Sequence, residues 1–287
     1  MIDLLSPFVE FAFMRRALVG CIAVSMGATP IGVFLLLRRM SLTGDAMAHA
    51  ILPGAAVGFL FAGLSLTAMT LGGLVAGMAV AVAAGAVSRS TILREDASLA
   101  AFYLVSLAAG VAVVSMHGSN VDLMHVLFGT VLALGNDALA LLCAIATITA
   151  VALALLFRPL VMECLDPAFL RGVSRLSPVA HFGFLALAVL NLVGGFHALG
   201  TLMAVGVMVL PAAAARFWTT SVGAMIAVAF AVAVTGSVCG LLLSFHFGLP
   251  SGPAIVLALG GLYFASLLFG AQGSLFARRV PRTHQEA

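Results

Sequence analysis

Apolar stretches long enough to cross a lipid bilayer follow one another along almost the whole chain, and no other feature restricts its fold as much. The runs at 17–37, 42–61, 66–87, 98–116, 134–157, 178–195, 199–215, 222–245 and 253–270 are each near the ~20 residues an α-helix needs to span the hydrocarbon core. In lipid every backbone N–H and C=O must be satisfied internally, which leaves helices and closed barrels. Barrel strands alternate over segments of roughly ten residues. These runs are continuous, so the expected fold is an all-α, polytopic transmembrane helical bundle. Nine spans are expected, eight if one of the shorter runs is only partly inserted. With 63% hydrophobic and 8% charged residues over 287 positions, no stretch is left for a soluble domain. Residues 1–287 therefore read as a single integral-membrane domain. The opening MIDLLSPFVEFAFMRR is acidic before it is basic and does not read as a signal peptide.

The few charges set the topology. All thirteen basic residues are arginines. A chain without lysine holds no Walker A phosphate loop and no Schiff-base lysine. Arg38 and Arg39 follow the first run, Arg89 and Arg94 the third, Arg158, Arg171 and Arg175 the fifth, Arg216 the seventh, and Arg278, Arg279 and Arg282 the ninth. With nine crossings these eleven share one side, and only Arg15 and Arg16 face the other. By the positive-inside rule the crowded side is cytoplasmic. The N-terminus is then expected outside and the C-terminus inside. The four cysteines, at 21, 143, 164 and 239, show no ligand spacing and read as small apolar fillers and a free thiol.

Two connections are long. The outer one, 117–133, is predicted to be extracytoplasmic, and His117, Asp122 and His125 lie on it. The inner one, 158–178, carries Asp166 followed by Pro167, a sound helix start, with Gly172 placed to end the turn. It is either an ordinary amphipathic connector or a docking element for a cytoplasmic partner.

The most informative polar residues lie in SLTGDAMAHAILPG, residues 41–54. Asp45 and His49 are four apart and share a helix face. One reading is a cap near the surface beside a core histidine. The other is a ligand pair of one hard oxygen and one imidazole, which suits zinc, manganese or ferrous iron. A two-fold dimer would supply a second pair. His117, His125, His197 and His246 fall near predicted outer ends, where they could hand a cation inward or simply face the interface. Pro53 and Pro211 interrupt helices, and such breaks often line cavities.

The segment FMRRALVGCIAVSMGATPIGVFLLLRRMSLTGDAMAHAILPGAAVGFL resembles the opening of permeases of the zinc/manganese/iron-chelate ABC importer family. HALGTLMAVGVMVLPAAAARFW, GLLLSFHFGLPSGPAIVLALGGLYF and CLDPAFLRGVS are similar to later parts of the same proteins. The resemblance runs in order through nearly the whole chain, and the GDxxxHAxLPG block is its most specific part. It implies a type II-like permease of the bacterial inner membrane that works as a homodimer and has no nucleotide site of its own. Two ATPase subunits would dock on Asp166, Pro167, Ala168, Phe169, Arg171 and Gly172. An extracytoplasmic binding protein would deliver the metal. Asp45 and His49 would be ligands of the translocation pathway. His197 and His246 depart from the apolar or aromatic residues usual in that family. The HALGTLMAVGVMVLPA wording is nearest to zinc-type members, so Zn2+ is the expected cargo, with Mn2+ or Fe2+ the alternative. No permanently bound cofactor and no nucleic-acid partner are expected; the other partner is membrane lipid.

Two other classes compete. An ion-coupled secondary transporter would use Asp45–His49 as a proton relay and would need no docking loop. An intramembrane hydrolase would use Ser251 of GLPSGP, but no base is placed for that serine.

Overall fold

The computed structural model describes residues 6–63, 65–116, 131–166, 169, 170, 172, 174 and 176–276. Among them the chain is helical throughout. A short α1 (Ser6–Glu10) leads into α2 (Ala12–Leu37), α3 (Thr43–Ala62), α4 (Leu66–Ser90), α5 (Glu95–Met116), α6 (Asn136–Leu165), α7 (Leu176–Leu199), α8 (Thr201–Ala215), α9 (Val222–Phe247) and α10 (Ser251–Phe269). Each expected run is present as a helix. Eight are long and apolar enough to cross a bilayer; α8 is the short exception.

Small residues decide how closely these helices approach, because lipid gives no hydrophobic drive between them. A Cβ at Gly54 would collide with the carbonyl of Gly72, and one at Gly72 with the carbonyl of Gly54, so α3 and α4 touch backbone to backbone. Gly32 of α2 likewise rests on the carbonyl of Met208 in α8. Around these contacts α2 and α7 form the centre of the bundle, each mostly buried, whereas α5 is peripheral. Phe34, at the heart of α2, meets Phe157 of α6 and Phe184 of α7 edge to face. One buried polar bridge crosses the core: Asn191 Nδ2 donates to Thr149 Oγ1 at 2.8 Å and to the Leu187 carbonyl. Burying such an amide costs unless it is bonded, and here it is.

The charges segregate as the sequence predicts. The described arginines 38, 39, 89, 94, 158 and 216 lie at or towards one end of the bundle, whereas Arg15 and Arg16 occupy the first turns of α2 at the other. There Phe11 packs against Phe245 near the end of α9. Arg171, Arg175, Arg278, Arg279 and Arg282 fall outside the described residues.

Three boundaries differ from expectation by five residues or more. The first span begins at Ala12 rather than 17, so Arg15 and Arg16 are helical. The fifth run, read as 134–157, continues to Leu165. Phe157 and Leu160 pack into the core, so the helix does not stop at Arg158. The inner connection, expected at 158–178, is accordingly only 166–175, because 158–165 belong to α6 and 176–178 to α7.

The link from α2 to α3 is the turn that positions the candidate site. Arg39 adopts a left-handed conformation, φ 59°. Its N–H donates to the Leu36 carbonyl, and the Met40 N–H donates to the Leu35 carbonyl. This is the Schellman arrangement, with arginine where glycine is usual. Met40 tucks into the core behind it.

Candidate metal site

Asp45 and His49 sit in the first two turns of α3. His49 Nε2 lies 3.8 Å from Asp45 Oδ1. Two ligands ~2.1 Å from a tetrahedral ion are ~3.4 Å apart, so small side-chain movements bring both onto one cation. The Tyr103 ring of α5 lies roughly parallel to His49 with centroids 6.2 Å apart. In the single chain Asp45 is 65% exposed and His49 39%. Among the described residues no third histidine, cysteine or carboxylate completes a metal cluster here. The pair is thus an open carboxylate–imidazole couple facing outward.

Its depth follows from its neighbours. A methyl group at Gly44 would touch Met208 Sδ at 3.7 Å and Val209 Cγ2 at 3.8 Å. Met208 lies midway along α8. The guanidinium of Arg38 sits 4.8 Å above the Phe184 ring, eight residues inside α7. The α2–α3 turn is therefore sunk below the ends of α6 and α7, and Asp45 starts well inside the bundle.

The other expected site residues are dispersed. His117, Asp122 and His125 lie outside the described residues, as does the side chain of His197. His246 is exposed near the end of α9, with Nδ1 2.9 Å from the Leu242 carbonyl; it lies at the opposite end from the start of α3. On the inner connection Asp166 Oδ1 accepts from the Phe169 N–H at 2.9 Å, the expected N-cap. Phe169 is half-exposed and the space around Gly172 is open. Pro167, Ala168 and Arg171 lie outside the described residues.

Sequence reading missed a second constellation at the arginine-rich end. Glu163, 3% exposed, lies in the last turn of α6. Its Oε1 is 3.8 Å from Arg38 Nη2 and 3.7 Å from Arg89 Nη1. Its Oε2 accepts from Ser177 Oγ at 3.1 Å, and Ser177 Oγ accepts from Arg89 Nη2 at 3.0 Å. His181 Nε2 lies 3.3 Å from Glu95 Oε1 beside them. A cavity of about 370 Å³ opens between these groups, bordered by Arg39, Met40, Arg94 and Cys164. Glu163 already faces two arginines and Glu95 faces His181, and Arg39 and Arg94 border the same space, so it does not suit a cation. The one signal in the sequence was a glutamate in FRPLVMECL, and reading that stretch as a loop concealed it.

The sequence profile described as "ABC 3 transport family" matches residues 10–270. The manganese transport system membrane protein MntC of Listeria monocytogenes is 29% identical over 276 residues, covering 96% of this chain and 97% of that protein. The manganese import system permease protein ScaB of Streptococcus parasanguinis is 28% identical and covers 90% of each chain. The chelated iron transport system membrane protein YfeD of Yersinia pestis is 29% identical over 93% of this chain and 89% of its own. Among solved structures, PsaBC from Streptococcus pneumoniae in complex with Fab superposes with a TM-score of 0.81 at 27% identity, over 97% of this chain and 98% of that one. An inward-facing conformation of a putative metal-chelate type ABC transporter shares the fold, with a TM-score of 0.67 at 14% identity and 91% and 87% of the two chains covered.

Proposed function

Because the chain belongs to the ABC 3 transport family, matched over residues 10–270, we propose that it is the permease subunit of an ATP-driven importer of divalent transition metal, with manganese as principal cargo and ferrous iron as second. The relatives named above carry manganese or chelated iron in their names. Zinc, towards which residues 197–212 lean by wording, has no such support and ranks third. The chain makes and breaks no bond of its own. It works as a homodimer in the bacterial inner membrane, with its arginine-rich end cytoplasmic, its N-terminus outside and its C-terminus inside. Two ATPase subunits dock on the 166–172 segment, and an extracytoplasmic binding protein loads the opposite end.

The single observation that carries the divalent-metal reading is the open Asp45–His49 pair. One carboxylate and one imidazole suit manganese, ferrous iron and zinc, and do not favour cuprous copper. Two ligands per chain hold an ion weakly enough to release it. Two chains meeting across a two-fold axis would bring four ligands together, and opening that axis would let the ion go.

The test is uptake of radioactive manganese, iron and zinc into cells stripped of their own importers and supplied with this chain, its ATPase and its binding protein. Manganese should accumulate fastest, and an excess of cold manganese should suppress the other two. Zinc uptake that manganese does not suppress would overturn the cargo assignment, and no ATP-dependent uptake of any of the three would overturn the function.

A further inference from the structure

We propose that Glu163 is the positioning residue that ties the cytoplasmic docking segment to the metal ligands, so that movement at 166–172 is delivered to Asp45 and His49 through one buried carboxylate. The inference rests on the docking role given above to that segment.

The geometry is specific. Glu163 precedes the Asp166 cap by three residues, and Ser177 opens α7 just after the segment ends. Ser177 donates to Glu163 Oε2, so both ends of the 166–175 strap meet at one side chain. Glu163 Oε1 faces Arg38, the last residue before the left-handed turn at Arg39, and that turn leads into the helix carrying Asp45. Arg89 brings in the end of α4. Four helix ends are thereby fastened to one charge.

The fastening transmits without being rigid. The ion-pair separations of 3.8 and 3.7 Å exceed a hydrogen-bond length, and among the described residues Arg38 Nη1 has no hydrogen-bond partner. Hydrogen bonds through Ser177 hold the carboxylate to α7 and to Arg89, whereas charge rather than fixed geometry joins it to Arg38, so Arg38 can slide while staying paired. Separating them entirely would leave a buried charge uncompensated, which is strongly unfavourable. Ordinary apolar packing has no such penalty for slipping. The cavity beside Met40 and Cys164 supplies room for the slide. A displacement of the α6 end therefore draws Arg38 with it, and Arg38 moves the start of α3.

The test uses the complete complex of permease, ATPase and binding protein in proteoliposomes, read as manganese transported per ATP hydrolysed. A purely structural glutamate would change how much complex is recovered, not this ratio. Glu163→Gln should lower the ratio at least tenfold while ATP hydrolysis continues. If that variant does not fold because Arg38 and Arg89 are left uncompensated, the triple variant Arg38→Gln, Arg89→Gln and Glu163→Gln keeps the question answerable. It should be recovered as complex and still show the tenfold loss. A wild-type ratio in either recovered variant overturns the inference. A photocrosslinking residue at position 169 separates the two levels of the argument. Capture of the ATPase together with a wild-type ratio sinks the role of Glu163 alone. Failure to capture it removes the docking reading, and this inference with it.

Discussion

The Asp45–His49 pair and the Arg38–Glu163–Arg89 cluster are seven residues apart at their nearest point in the chain, yet they are built on opposite plans. The pair comes from one helix, is exposed in the single chain and lacks further ligands among the described residues. The cluster draws on three helices, four with Ser177, and its carboxylate is almost wholly buried. On the proposed roles the difference has a reason: binding and releasing an ion calls for an open, incomplete shell, whereas carrying displacement calls for burial, where separating charges costs enough to keep them together.

That contrast can be broken by experiment. The largest effect belongs to the pair: Asp45→Ala and His49→Ala should each reduce metal uptake at least tenfold. Because both side chains are exposed, thermal denaturation in detergent should shift by no more than ~0.5 kcal/mol. A large loss of stability would show that the pair is structural. The opposite pattern is expected at the cluster. Glu163→Ala should cost ~3–5 kcal/mol in the same denaturation assay, since it leaves two arginines without their carboxylate. A loss below ~1 kcal/mol would mean that the site is wet and the contrast false. Gly54→Val, where α3 leans on α4, should cost ~1–3 kcal/mol through overpacking, and an unchanged melting curve would show that the two helices part easily. The smallest effect is at the junction. Arg39→Gly should stabilise by ~1 kcal/mol, because glycine accepts the left-handed turn that arginine adopts at a cost; a lower melting temperature would show that the arginine earns its place by other contacts.

The pair was legible in the sequence because its members are neighbours: an i, i+4 spacing inside an apolar helix is visible without a fold. The helices were legible for the same local reason, down to the short run that became α8. The cluster was not, because residues 38, 89, 163 and 177 meet only once α2, α4, α6 and α7 have packed. Nor was the extent of α6, since Arg158 and Pro159 look like the end of a helix. Pro159 is in fact carried inside it, and the helix continues because Leu160 is buried. The depth of Asp45 was the subtlest failure. Counting residues from Arg39 puts it ~9 Å below a surface. Arg39 does not mark that surface, because the turn it closes is itself sunk.

The shortness of α8 has an electrical consequence. Its fifteen residues rise only ~22 Å, against a hydrocarbon layer of ~30 Å. This mostly buried helix packs among α2, α7, α9 and α10, so the shortfall lies within the protein and not against lipid. The solvation energy an ion forfeits grows with the stretch of poorly polarisable medium around it. Under the function proposed above, an α8 that ends early beside the start of α3 would shorten that stretch for an ion on its way to Asp45.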